Sequence, residues 1–248
     1  MIFRNIITIA FLSAIVSGVF LGVMQSFSTT PIIYSAEVYE VEETTTTAHH
    51  DNASNVAHEH DKAEWEPANR TERVGYTFLA DILIAFGHSL LLTSFMLFVF
   101  LKFRKPEVSW KSGLIIGLGG YVSFYVATAI GLPPEIPGTL AADLHARQLW
   151  WTLTIVATII GLSTLYFAPK TFKVMGLLLI VLPHIIGAPH PEVDGFLNQE
   201  SSAVTALSQL EYKFLLSTAW VNLLYWLSIG IMSGLLANKF IKIEKQGV

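Results

Sequence analysis

Six apolar stretches, at residues 6–25, 76–100, 112–130, 149–167, 173–187 and 213–237, dominate the chain. A hydrocarbon core about 30 Å thick takes roughly 20 apolar residues to cross as a helix, and lipid offers no partner for an open backbone N–H or C=O. The pattern therefore predicts an all-α integral membrane protein, a polytopic bundle of about six transmembrane helices in one membrane domain, residues 1–248. Composition agrees: 52% of residues are hydrophobic and 14% charged, and mean hydropathy is +0.54, which leaves no room for a soluble domain. Pro106, Pro133, Pro134, Pro169, Pro189 and Pro191 stand between or at the ends of the stretches, where helix breakers belong.

The first stretch is longer than the usual apolar region of a signal peptide and no A-x-A-like site follows it, so a retained helix is expected. With the N-terminus cytoplasmic, ten of the fifteen Lys and Arg residues flank the spans on the inside and every inner segment is net basic, whereas sixteen of the nineteen Asp and Glu fall outside. Basic residues set orientation, so both termini are expected inside. The fifth stretch is short, and a re-entrant course would instead place Lys239, Lys242 and Lys245 outside.

Residues 36–73 form an outer loop, hydrated and expected to be mobile, with ten acidic residues and His49, His50, His58 and His60. Imidazole and carboxylate together suit Co, Ni, Zn and Cu. A flexible tract fixes no geometry, however, so it reads either as an antenna that captures cations or as a solvated acidic loop.

Within the membrane, Asp81 and His88 stand seven residues apart, on one helical stripe. Ionisable groups at that depth are costly and face a bundle interior or a watery path; the pair is either a route for an ion or a packing lock. The outer segment 132–151 offers Glu135, Asp143 and His145 as vestibule ligands. It also has Asp143 and Arg147 at the i,i+4 spacing of a helix-face ion pair, and Trp150 and Trp151 as an interfacial belt. The fifth stretch ends in Leu182-Pro183-His184 and continues to Asp194. A proline-broken helix end is tolerated at membrane depth where it lines a cavity, so His184, His190, Glu192 and Asp194 are the leading metal ligands; a simple proline-rich cap is the rival reading. Three G-x-x-x-G pairs, Gly18–Gly22, Gly113–Gly117 and Gly230–Gly234, predict close helix packing. Gln25 and Asn222 read as structural.

The chain has no cysteine, which removes thiolate metal sites. It also lacks a G-x-x-x-x-G-K-[ST] phosphate loop, an H-E-x-x-H helix, a G-x-S-x-G elbow and a dinucleotide fingerprint. An enzyme is not expected, nor a permanently bound cofactor or a nucleic-acid partner.

Three segments resemble the CbtA family of proposed cobalt transporter subunits: Thr30-Pro31 to Ala36-Glu37-Val38-Tyr39-Glu40, the Pro137-Gly138 to Trp150-Trp151 run, and Leu182 to Pro189. The resemblance implies a multi-pass plasma-membrane protein for cobalt uptake, with Glu37, Asp143, Arg147, Gln148, His184 and Pro189 as family-like positions. A small one-span histidine-bearing protein is the partner it implies. The His49–His60 tract and His88 depart from that pattern. The expected cargo is a divalent cation, Co²⁺ ahead of Ni²⁺ or Zn²⁺, captured by outer carboxylates and histidines and passed along His184, Asp81 and His88. A chain that captures metal or assists assembly of a membrane complex without transporting is the other expectation.

Overall fold

The computed structural model describes residues 2–40, 67–103 and 108–241, and among them all regular elements are helical. In chain order these are α1 (Ile2–Phe27), α2 (Thr29–Glu37), α3 (Arg70–Phe103), α4 (Trp110–Tyr121), a π-helical turn (Val122–Val126), α5 (Ala127–Gly131), α6 (Leu144–Phe167), a 3₁₀ turn (Lys170–Phe172), α7 (Lys173–Ile186) and α8 (Ser201–Phe240). Among the described residues, five helices are long and apolar enough to cross a membrane: α1, α3, α4 through α5, α6 and α8.

The helices alternate in direction, and two sets of contacts define the ends of the bundle. At one end the Asn5 side-chain amide donates to the Phe240 carbonyl at 2.9 Å, so the two ends of the described chain meet there. At the other, which we call the cap end, α2 and segments 132–143 and 187–200 gather around the start of α8. Thr139 bridges Phe196, and Asn198 donates to the Tyr39 carbonyl at 3.1 Å. Ala36, Ile136, Phe196, Leu207 and Phe214 form a small core beneath them.

α7 differs from the other legs. At about 1.5 Å per residue its 14 residues reach roughly 21 Å, short of the hydrocarbon thickness. It runs antiparallel to α6, with Gly161 against Gly176 and Trp150 against Pro183, and stops at Gly187, whose φ of 89° suits a residue without a Cβ. Pro183 falls in the last turn, where it has no N–H to give the Leu179 carbonyl one turn back. The fifth stretch therefore runs from one end of the bundle toward the other but is not one of the five membrane-length helices.

Lipid tails are as apolar as leucine, so close backbone approach and buried polar pairs hold such helices together. The G-x-x-x-G pairs of α4 and α8 face each other: a Cβ on Gly113 would lie 2.1 Å from the Gly230 carbonyl oxygen, and one on Gly230 2.5 Å from that of Gly113. Gly18 gives α1 the same approach to α3 at Ile82. Ser17 with Ser228 at 3.1 Å and Ser89 with Ser233 at 2.9 Å tie α8 to α1 and α3.

Several boundaries differ from expectation: α3 begins at Arg70, within the stretch 36–73 expected as a mobile loop, and α6 at Leu144. α8 begins at Ser201, twelve residues before the apolar stretch at 213, because Leu207 is part of the cap core and Val204 and Leu210 pack against it. The stretch at 112–130 is interrupted by the π turn, which the apolar pattern does not register.

Candidate functional site

The centre of the bundle is where α1, α3 and α8 pack together, with α4 on its flank. Asp81 projects into this contact from α3. It is 5% exposed, and its Oδ2 has no hydrogen-bond partner among the described residues. Space for it exists because the facing α1 residue is Gly22: a Cβ there would lie 3.1 Å from Oδ2. Gln25, one turn further along α1, donates a hydrogen bond to the carboxylate, which leaves Oδ2 as its open oxygen. A buried carboxylate oxygen without a donor is expensive and is the kind of group a cation would satisfy.

Seven residues on, His88 occupies the same face of α3. Its Nδ1 shares a 2.8 Å hydrogen bond with the Tyr225 hydroxyl of α8, and its ring packs against Phe124 of the π turn at 4.9 Å and Trp226 at 4.6 Å. π turns are frequent at functional sites, and this one sets Phe124 against the imidazole. Beyond His88 an apolar groove of about 670 Å³ opens between α3, α4 and α6. The expected stripe of Asp81 and His88 is therefore present, with Tyr225 as a member that sequence reading does not find; a tyrosine in a long apolar helix carries no spacing signal.

Above Asp81, toward the cap end, lies a second cavity of about 230 Å³ between the α1–α2 junction, α3 and α8. Its lining includes Gln25, Thr77 and Asn222, so two residues read as structural border the site. At its rim Arg73 donates to both carboxylate oxygens of Glu37, one at 3.0 Å, and its guanidinium lies 4.9 Å from the centre of the Tyr34 ring. Glu37 is thus placed, and its partner is the unforeseen residue.

The other expected ligands are held differently. Asp143 does not pair with Arg147: it caps α6, accepting from the Ala146 N–H at 2.9 Å, while Arg147 reaches Glu135 at 2.6 Å. A side chain at a helix start faces unpaired N–H groups, which explains the exchange of partners. His145 and Gln148 are exposed. Trp150 is buried, and its indole N–H donates to the Pro183 carbonyl at 3.0 Å; Trp151 is 42% exposed.

His184 stacks edge-on against Trp150 with ring centres 5.8 Å apart, on a helix that packs chiefly on α6 and not among the three helices around Asp81. His190, Glu192 and Asp194 are exposed. Among the described residues no three His, Asp or Glu side chains are grouped to hold a metal ion, so neither the His184 set nor the Glu135, Asp143 and His145 set converges. Pro189 and Pro191 stiffen the segment after Gly187 and carry its donors into solvent. His49, His50, His58 and His60 lie outside the described residues.

A family model described as "Probable cobalt transporter subunit (CbtA)" matches residues 3–238, nearly the whole chain. The chain belongs to the CbtA family. No curated protein and no solved structure matches it. Membership of CbtA, with five membrane-length helices, makes this a multi-pass membrane protein with a transporter role. As a transporter-subunit family, CbtA is not a family of enzymes.

Proposed function

We propose that this CbtA chain carries a divalent transition cation, Co²⁺ ahead of Ni²⁺ or Zn²⁺, inward from the cap end, with Asp81 as the first deep ligand and His88 next. The observation that carries this reading is the buried Asp81 carboxylate with its unpartnered oxygen, two turns from an imidazole on the same helix face. A carboxylate oxygen followed by an imidazole nitrogen is a donor set for borderline divalent ions. His184 stands apart from this line and is assigned no step.

Taking both termini as cytoplasmic, with α7 as a short sixth crossing, the cap end faces out. Each elementary charge moved across 100 mV is worth about 2.3 kcal/mol, so a dication gains roughly 4.6. At 1.4 kcal/mol per decade this supports an accumulation of order 10³. The His49–His60 tract then serves as an outer antenna, and a one-span histidine-bearing partner is not needed for passage itself.

Reconstitution of the purified chain alone in liposomes with a negative interior tests this. Uptake of Co²⁺ above that of protein-free vesicles, exceeding that of Ni²⁺ and Zn²⁺ in competition, is the expected result; absence of uptake by well-folded protein would assign the path to a partner.

A further inference from the structure

The cavity at the cap end has a polar lining in which several hydroxyl protons are already committed. Ser26 donates its hydroxyl proton to the Gly22 carbonyl at 2.7 Å, Thr77 to that of Arg73 at 2.9 Å, and Thr218 to that of Phe214 at 2.9 Å. The Asn222 amide donates to the Thr218 carbonyl at 2.9 Å. Each of the three hydroxyls has its proton committed to its own helix, one turn back, and keeps oxygen lone pairs, one of which on Thr218 meets the Tyr125 hydroxyl at 2.9 Å; the Asn222 amide keeps its oxygen and a second N–H. Among the described lining residues the charged one is Arg73, and its guanidinium is taken up by Glu37 at the rim. The walls therefore present hydroxyl and amide oxygens, with few free donors and no carboxylate.

Such a surface offers a bare cation no anionic ligand. It suits the outward-pointing hydrogens of water already bound to a cation. The volume is consistent: at about 30 Å³ per water in the liquid, 230 Å³ holds on the order of seven waters, room for a dication with a shell of roughly six. Gln25 lines this cavity and is also the polar neighbour of Asp81, so the hydrated space and the buried carboxylate adjoin.

We infer that this cavity is a vestibule that binds the divalent cation with its water shell intact, and that Thr77 and Asn222 recognise the shell. Stripping begins only below, where Asp81 offers an anionic oxygen. The inference rests on the proposed passage through Asp81 but concerns a separate set of residues.

Hexaamminecobalt(III), whose six ammonia ligands present N–H donors and do not exchange on the time scale of uptake, is the probe. It is expected to inhibit Co²⁺ uptake by the wild-type chain without being carried itself. Inhibition should weaken about tenfold in Thr77→Val and in Asn222→Leu, each made alone, since each loses one hydrogen bond to a charged guest. Thr77→Ser, which keeps the acceptor, should retain wild-type inhibition, so either position suffices if one variant does not fold. Equal inhibition of the wild type and both variants, no inhibition at all, or transport of the complex would overturn the vestibule. Uptake by Asp81→Asn reports separately on the passage: its persistence would overturn that reading while leaving the hexaammine result to stand or fall alone.

Discussion

The His88 imidazole and the Tyr225 hydroxyl meet at 2.8 Å across the α3–α8 contact, in surroundings made of Phe124 and Trp226 rings. The bond fixes the orientation of the imidazole and so decides which nitrogen is left for a ligand. Tyr225→Phe should cost about 1 kcal/mol of stability and lower Co²⁺ uptake without abolishing it, whereas His88→Ala should abolish it. Thermal melting in detergent and vesicle uptake check the two effects. Equal uptake in Tyr225→Phe and wild type would remove Tyr225 from the site.

The reciprocal approach of Gly113 and Gly230 leaves no room for a side chain between two backbones. Gly230→Leu should destabilise the fold by about 3 kcal/mol or more, the upper range for overpacking. Gly119, with open space beside it, should tolerate alanine. Size-exclusion recovery and melting temperature of the two variants are the readout.

Glu37 and Arg73 are both partly exposed, with side chains 28% and 43% accessible, so solvent screens them. A double-mutant cycle with Glu37→Gln and Arg73→Gln should give a coupling of about 1 kcal/mol or less, shrinking in high salt. A much larger coupling would mean that the pair is closed off from water in the membrane-bound protein.

Trp150→Phe deletes the donor to the Pro183 carbonyl, which keeps the Gly187 N–H at 3.1 Å. The expected loss is therefore modest, about 1 kcal/mol, plus some loosening of α7. Trp151→Phe should be close to neutral by the same melting assay.

Sequence reading and structure agree most closely where one periodicity decides the outcome. The apolar runs specify the helices, and the seven-residue interval places Asp81 and His88 on one stripe. The glycine pairs of α4 and α8 mark packing, although Gly161 against Gly176 carries no motif that would reveal it. Reading fails where partners come from far along the chain. Arg147 has Asp143 at an attractive spacing, yet the helix start claims Asp143 and a loop brings in Glu135 twelve residues away. The clustering of His184, His190, Glu192 and Asp194 in sequence suggests a site, but proline-stiffened chain does not fold back on itself, and proximity along the chain is not convergence. Tyr225 and the donor-saturated hydroxyls of the cap-end cavity become visible only once α1, α3 and α8 are set side by side.

Passage of the cation by Asp81 is tested by uptake of labelled Co²⁺ by liposomes holding Asp81→Asn, beside wild-type protein at equal density and with equal melting temperature. Asparagine keeps the shape and one oxygen but removes the charge, so uptake is predicted to fall at least about a hundredfold, the effect of losing a charge-assisted contact in a dry site. Uptake within about twofold of wild type would contradict the account.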